Sequence, residues 1–136
     1  MATIEDVDSF IRLLCNNHNA VAHMQAMLRE HFSTGGKRLR AQLALDACKG
    51  FGIDTKDAIV WASACEIVHN ATLIHDDIQD GDTERRGAPT SWQTFGIPQA
   101  INAGDVLFTL PYVALCELPN PRHNQTLSSV LAGATL

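Results

Sequence analysis

The sequence predicts an all-α fold. Apolar residues recur every three to four positions over almost the whole chain, and no segment shows the alternation of apolar and polar residues that is typical of strands. The 136 residues, of which 46% are hydrophobic and 18% charged, have the size and composition of one globular domain. We therefore expect a single all-α domain over residues 1–136.

Four helices are predicted in the first 80 residues. The two glycines of "STGG" separate the second helix from the third, and "GFGID" separates the third from the fourth. Asp54 suits the N-cap of the fourth helix, whose span contains neither Gly nor Pro. The predicted ranges are about 4–16, 19–32, 37–50 and 55–80.

A loop and two further helices are predicted in the rest of the chain. Gly87, Pro89 and Gly96 interrupt residues 81–98, so we expect a loop there, with room for a short helical turn. Pro98 suits the first turn of a fifth helix that extends to about residue 118 and that Pro111 kinks. A last, weakly amphipathic helix is predicted near residues 125–131.

Composition argues against several classes of protein. The net charge is -5, and the Lys and Arg residues are scattered apart from "GGKRLR" and "ERRG", so we expect no general nucleic-acid binding. No run approaches the roughly 18 apolar residues of a membrane span, and "MATIEDVDSF" lacks the apolar region of a signal peptide. The four cysteines form no CxxC pair, which predicts buried, reduced thiols in a cytoplasmic protein.

The end of the fourth helix, "LIHDDIQDGDTERRG", concentrates acidic residues. At about 100° per residue, one stripe of this helix holds His69, Thr72, Asp76 and Asp80. Asp76 and Asp80 are one turn apart, where like charges repel each other unless a cation lies between them. Mg²⁺ typically takes one or two carboxylates and completes its coordination with water and substrate phosphates. The spacing therefore predicts a magnesium site.

Basic residues could oppose such an ion across a bound polyanion. The natural phosphate partners in the sequence are Lys37, Arg38, Arg40, Arg85 and Arg86. The same charges are also typical of a solvated helix end with local ion pairs, and both interpretations remain open at this point. Acidic residues at a helix C-terminus are disfavoured by the helix dipole, which favours a functional reason for them.

Three segments together resemble a known family. "GGKRLR", "EIVHNATLIHDDIQDGDTERRGAPT" and "FGIPQAINAGDVLF" are similar to the N-terminal half of trans-isoprenyl diphosphate synthases, also called polyprenyl synthetases. The similarity covers nearly the whole chain after Thr34, with the motifs in the family's order and spacing. It implies a helical bundle of the isoprenoid synthase type, present here as roughly its N-terminal half of about six helices within a longer domain.

The resemblance implies a role for each matching position. The positions that match isopentenyl diphosphate ligands are Lys37, Arg40, His69 and Arg86. Asp76 and Asp80 match the catalytic aspartates that bind Mg²⁺ and thereby hold the allylic diphosphate, and Arg85 matches an arginine that binds the same diphosphate. The family pattern usually has Pro where this chain has Ala41, a difference that concerns the start of a helix more than the chemistry.

The activity implied by the resemblance is a trans-prenyltransferase reaction. Metal ions and basic groups stabilise the departing diphosphate, an allylic cation forms, and the double bond of isopentenyl diphosphate attacks it in an apolar cavity. The positions four and five residues before the first aspartate, which limit product length in this family, are the small residues Thr72 and Ala71. The resemblance therefore implies a polyprenyl diphosphate of C20 or longer.

The family's second aspartate-rich motif has no match in this sequence. After Asp105 the chain contains one acidic residue, Glu117. We therefore expect the chain to be inactive alone, as part of a prenyltransferase that is commonly a homodimer. The alternative is a noncatalytic diphosphate-binding or regulatory subunit of a prenyltransferase complex.

The remaining histidines give weaker indications. The four without metal-ligand spacing, for which we expect surface or loop positions, are His18, His23, His31 and His123. His75 could either orient the carboxylate of Asp76 or pack against a neighbouring helix.

Overall fold

The computed structural model describes residues 1–17 and 22–135 and is helical, as predicted. Within these residues the helices are α1 (Ile4–Asn17), α2 (Ala22–Ser33), α3 (Leu39–Gly50), α4 (Thr55–Asp80), α5 (Ser91–Phe95), α6 (Ile97–Cys116) and α7 (Pro121–Thr135). A short antiparallel hairpin, β1 (Glu84–Arg85) and β2 (Ala88–Pro89), connects α4 to α5. In this part of the chain, no helix has the length and apolar content needed to cross a membrane.

Helix α4 is the centre of the bundle. Its 26 residues make it about 39 Å long, and it packs mainly against α6 and α3. Ile67 and Ile74 on α4, and Leu107 on α6, are at most 1% exposed, and each contributes about 1.5–3 kcal/mol of hydrophobic stabilisation. A methyl group at Gly104 of α6 would lie 2.3 Å from His75 Nε2, so glycine allows the two helices to approach closely there.

Most predicted helix positions are confirmed. Helix α4 has the predicted bounds, and its N-cap is Asp54, whose Oδ1 accepts a hydrogen bond from the Lys56 amide at 2.8 Å. Helix α6 begins one residue before Pro98 and continues through Pro111. Helix α7 is longer than predicted, and residues 19–21 of the predicted second helix lie outside the described residues.

The third helix starts two residues later than predicted. Gly35, Gly36 and Arg38 have positive φ values of 75°, 150° and 47°, which a right-handed helix does not allow. Lys37 and Arg38 therefore belong to the loop before α3, and the first intrahelical bond runs from the Gln42 amide to the Arg38 carbonyl at 2.9 Å.

The hairpin and α5 lie in the segment 81–98, which was predicted to be a loop with room for a short helical turn. The turn of the hairpin is formed by Arg86 and Gly87, whose φ values of 56° and 79° are both positive, as a two-residue type I′ turn requires. Arg-Gly is a weaker hairpin signal than Asn-Gly or Asp-Gly, and each strand has only two residues, too few to show a pattern. The glycine of "RRG" is therefore explained by turn geometry.

The cysteines are free thiols, but not all are buried. Cys15 and Cys48 are buried, Cys65 is half-buried, and Cys116 is exposed at the end of α6, where the prediction of burial is wrong. Burial raises the pKa of Cys15 and of Cys65 to about 11, so both thiols are protonated at neutral pH.

Candidate functional site

Asp76 and Asp80 lie exposed on the last two turns of α4. Within residues 1–17 and 22–135, no hydrogen bond or ion pair joins either carboxylate to another group. Gly81 ends the helix in the left-handed conformation, with φ 72°, and its amide donates to the Asp77 carbonyl. The end of α4 therefore presents two unpaired carboxylates one turn apart.

Asp77, between them in sequence, has the opposite environment. It is 3% exposed, and its Oδ1 accepts hydrogen bonds from Arg85 Nε at 2.7 Å and from Arg85 Nη2 at 2.5 Å. These hydrogen bonds raise the pKa of Arg85 above its usual value. Trp92 Nε1 donates to the Asp77 carbonyl at 3.0 Å. Asp77 therefore fastens the hairpin and α5 to the end of α4.

A basic cleft lies between the loop before α3, the middle of α4 and the hairpin turn. It has a volume of about 510 Å³. The residues that the resemblance assigned to isopentenyl diphosphate all line it, namely Lys37, Arg40, His69 and Arg86, and Arg38 and Glu66 line it as well. The structure thus brings together, from three separate segments, the four positions that the resemblance assigned to isopentenyl diphosphate, whereas Arg85 lies beside Asp77.

The hairpin and the glycine loop make direct contact through Arg86. Its Nη1 donates a hydrogen bond to the Gly35 carbonyl. A methyl group at Gly36 would lie 2.6 Å from the same Nη1 and 3.0 Å from Cζ, so a side chain at this position would displace the guanidinium from the loop. The "GG" and "RRG" motifs therefore contact each other directly.

His69 is half-buried on the wall of the cleft. Burial, followed by the positive charge of Arg40, lowers the pKa of His69, which favours the neutral imidazole at pH 7. The neighbouring predicted length-determining residues lie on the same helix: Ala71 is fully buried, and the Thr72 hydroxyl donates to the His69 carbonyl at 2.7 Å.

Arg38 also lines the cleft, but its guanidinium is engaged by other groups of the protein. Its side chain is 9% exposed, and its Nε lies 2.8 Å from Asp8 Oδ1 on α1. Its Nη1 lies 3.7 Å from Glu66 Oε1 on α4, and its guanidinium carbon lies 5.7 Å from the centre of the Phe32 ring. Arg38 is therefore engaged in an internal ion-pair network.

Glu66 and Asn70 are buried polar residues for which no role was predicted from the sequence. Glu66 is 3% exposed, and Asn70 Nδ2 donates to its carbonyl at 2.7 Å and to its Oε1 at 3.3 Å. His31 Nε2 lies 3.0 Å from Asn70 Oδ1, so the expectation of a surface or loop position for His31 is wrong. Burial lowers the pKa of His31 to about 4. The available signal was Glu66 and Asn70, one turn apart in an otherwise apolar part of α4.

His75 packs against α6. Its ring lies 5.6 Å from the ring of Phe108, and its Nε2 lies 3.4 Å from Asp105 Oδ1 without the geometry of a hydrogen bond. Of the two roles left open for His75, the structure therefore supports packing.

The site could bind a polyanion through a metal ion on Asp76 and Asp80 and through the basic residues of the cleft. In the described part of the chain, no group of three or more His, Cys, Asp or Glu residues is placed to bind a metal by itself. Asp76 and Asp80 would therefore need phosphate and water oxygens to complete a coordination sphere, which suits Mg²⁺. This arrangement fits a magnesium ion bound together with a diphosphate.

Comparison with known proteins identifies the family. The family model described as Polyprenyl synthetase matches residues 21–135. The chain belongs to this family. A geranylgeranyl pyrophosphate synthase from Geoglobus acetivorans is 45% identical over 96 residues, which is 71% of this chain and 30% of that relative.

Solved structures confirm the fold. The geranylgeranyl pyrophosphate synthetase from Pyrococcus horikoshii Ot3 superposes with a TM-score of 0.88 at 32% identity, covering 96% of this chain and 40% of that one. An isoprenoid synthase family member from Thermotoga neapolitana superposes with a TM-score of 0.83 at 27% identity, covering 95% of this chain and 51% of that one. The predicted all-α bundle of the isoprenoid synthase type is therefore confirmed, and the chain spans about half or less of these relatives.

Proposed function

We propose that this chain supplies the diphosphate-binding part of a trans-prenyltransferase. The reaction condenses isopentenyl diphosphate with an allylic diphosphate to give a longer polyprenyl diphosphate. The observation that carries the proposal is the separation of charge: Asp76 and Asp80 are exposed and unpaired in the described chain, while cations from the start of α3 and from the hairpin turn converge on the cleft. The names of the relatives, among them geranylgeranyl pyrophosphate synthase, fit this reaction.

Asp76 and Asp80 hold the allylic diphosphate through Mg²⁺. Prenyl diphosphate synthases generally depend on a divalent metal, and when bound the ion neutralises the charge that develops on the departing diphosphate. Arg85 assists on the same side. Its Nε and Nη2 are engaged by Asp77, and within the described residues Nη1 is left to donate to a phosphate oxygen.

The basic cleft holds isopentenyl diphosphate. Lys37, Arg40 and Arg86 supply positive charge, and the neutral imidazole of His69 can donate one hydrogen bond to a phosphate oxygen. The allylic C–O bond breaks, and the double bond of isopentenyl diphosphate then forms the new C–C bond. The proton lost from the product passes to the departing diphosphate.

The product is C20 or longer. Ala71 and Thr72 are small residues at the positions that limit product length in the family, so they leave the chain-elongation cavity open. The proposed assembly is a homodimer, because the family that this chain resembles commonly forms homodimers.

The same binding face is compatible with a second candidate function. A noncatalytic diphosphate-binding or regulatory subunit would need the binding face of α4 and the cleft but not a second aspartate cluster. After Asp105 the sequence has one acidic residue, Glu117, which agrees with either candidate.

Binding and turnover together test the proposal. The chain is titrated calorimetrically with farnesyl diphosphate, once with Mg²⁺ and once with EDTA, and we expect binding with Mg²⁺ only. Absence of binding in both conditions, or binding indifferent to Mg²⁺, would overturn the proposal. Incubation with Mg²⁺, radiolabelled isopentenyl diphosphate and farnesyl diphosphate tests the expectation that the chain is inactive alone. A longer labelled product would contradict that expectation and would exclude the noncatalytic subunit.

A further inference from the structure

We propose that Arg38 and Glu66, which line the cleft and pair with each other, are positioning residues for isopentenyl diphosphate. The two side chains form a clamp that fixes the loop before α3 and the start of that helix, from which Lys37 and Arg40 line the cleft. This inference rests on the proposed function, because it assigns a supporting role to residues in the wall of the proposed diphosphate site.

The backbone of Arg38 provides the first observation. Arg38 and Arg86 are the residues other than glycine with positive φ in the described chain, at 47° and 56°, and both border the cleft. A left-handed conformation costs free energy for a residue with a Cβ, so it persists where the surrounding contacts require it. At Arg38 this conformation directs the side chain inward while its neighbours Lys37 and Arg40 remain exposed.

The contacts of the Arg38 guanidinium provide the second observation. Its partners belong to three other helices: Asp8 on α1 at 2.8 Å, Glu66 on α4 at 3.7 Å and the carbonyl of Phe32 on α2 at 3.4 Å. These contacts to three helices restrict the movement of the loop at Arg38. The two glycines before it would otherwise leave this loop flexible.

The start of α3 provides the third observation. The N-cap residue, Arg38, makes no side-chain capping bond, so the first amides of α3 lack the usual local acceptor. Glu66 Oε2 replaces it, accepting a hydrogen bond from the Ala41 amide at 3.4 Å. The same carboxylate thus contacts Arg38 through Oε1 and the helix start through Oε2. Lys37 and Arg40 lie on either side of this anchored point.

The clamp predicts an effect on one substrate rather than on both. Arg38→Gln and Glu66→Gln should each weaken the binding of isopentenyl diphosphate by about tenfold or more, because small displacements of positioning groups have large effects. The Mg²⁺-dependent affinity for farnesyl diphosphate, which depends on Asp76 and Asp80, should change less than about twofold. Arg12→Gln, an exposed arginine on α1, is the matched control and should change neither affinity.

The test uses calorimetric titration of the full chain with each diphosphate, after circular dichroism has shown that each variant is folded. Hydrogen exchange of the Ala41 amide is measured in parallel and should accelerate in Glu66→Gln, whether or not a diphosphate binds. If the Gln variants do not fold, Arg38→Lys keeps the charge but loses the three-way contact, and it should show the same selective loss to a smaller extent.

The outcomes separate the clamp from the proposed function. Unchanged isopentenyl diphosphate affinity in the Arg38 variants, with that affinity lost in Lys37→Ala, would overturn the clamp alone. An equal loss for both diphosphates would also overturn it, because the pair would then support only the overall fold. A wild-type chain that binds neither diphosphate would overturn the proposed function itself.

Discussion

Helix α4 carries two pairs of acidic residues with opposite surroundings. Asp76 and Asp80 are exposed and have no partner within the described residues, whereas Glu66 and Asp77 are each 3% exposed and each contact an arginine. Buried carboxylates need such partners, and the partners here come from other segments of the chain. The contrast indicates that the inner pair, Glu66 and Asp77, stabilises the site. The outer pair, Asp76 and Asp80, is available to a ligand.

The largest expected effect is on the outer pair. Asp76→Ala should lower the Mg²⁺-dependent affinity for inorganic pyrophosphate by at least about 100-fold, since loss of even an outer-shell metal contact costs roughly 10–100-fold. The free energy of unfolding of Asp76→Ala should stay within about 0.5 kcal/mol of that of the wild type, because the carboxylate is exposed and unpaired in the described chain. Calorimetry and thermal unfolding measure the two quantities.

The control for this substitution is Asp46→Ala on α3. Asp46 is also exposed, and its carboxylate accepts one hydrogen bond, from Gln42 at 3.1 Å. An equal loss of pyrophosphate affinity in Asp46→Ala would mean that net charge, rather than a metal site, controls binding.

The second effect is the loss of protein stability when Asp77 of the inner pair is replaced. Asp77→Ala should lower the free energy of unfolding by about 2 kcal/mol, because it leaves the Arg85 charge without its hydrogen-bonded partner. Arg85 is 29% exposed, so the loss should be smaller than the roughly 3–5 kcal/mol of a fully buried pair.

Urea denaturation followed by circular dichroism measures this loss. Asp82→Ala serves as the control, because Asp82 is 54% exposed and lies 3.9 Å from Arg85, which predicts a change of less than about 1 kcal/mol. Equal destabilisation by the two substitutions would contradict the stabilising role of the buried Asp77–Arg85 contact.

The smallest effect is a pH dependence beneath the cleft. The folded-state pKa of His31 is about 4, below its ordinary value of 6.5, so the unfolded chain binds more protons between these values. The contribution of His31 to stability is therefore present above pH 6.5 and is lost as the pH falls toward 4, by at most about 1.4 kcal/mol per pH unit. The groups around it are Asn70, Asp77, Arg85 and Arg86.

Urea denaturation at pH 7, 6 and 5 tests whether the free energy of unfolding falls as the pH falls. His31→Gln removes the titrating group but keeps a donor for Asn70, so its stability should fall less steeply toward low pH than that of the wild type. Parallel pH profiles would show that His31 does not contribute to the pH dependence.

Local sequence rules predicted those features that depend on neighbouring residues. The limits of α4 follow from the Asp54 cap and an uninterrupted helical span, and the outward position of Asp76 and Asp80 follows from helical periodicity. The resemblance placed Lys37, Arg40, His69 and Arg86 on one ligand, and the structure places them on one cleft.

Features that depend on distant contacts were not predictable in the same way. Arg38 and Lys37 are adjacent basic residues in one motif, yet Asp8 and Glu66 draw Arg38 into the interior. Likewise, His31 shows no ligand spacing in the sequence, and its environment is set by Asn70, 39 positions away. A positive φ at a residue other than glycine also depends on such contacts, which explains the delayed start of α3.

The location of the metal tests the central claim most directly. Mn²⁺, which shares the preference of Mg²⁺ for oxygen ligands, can be added with pyrophosphate to ¹⁵N-labelled protein, because it broadens the amide signals of nearby residues. We predict selective broadening around residues 76–81 that disappears in the Asp76→Asn, Asp80→Asn double variant and persists in Arg12→Gln. Broadening centred on another part of the chain, or unchanged in the double variant, would contradict the claim that the outer carboxylates of α4 hold the metal.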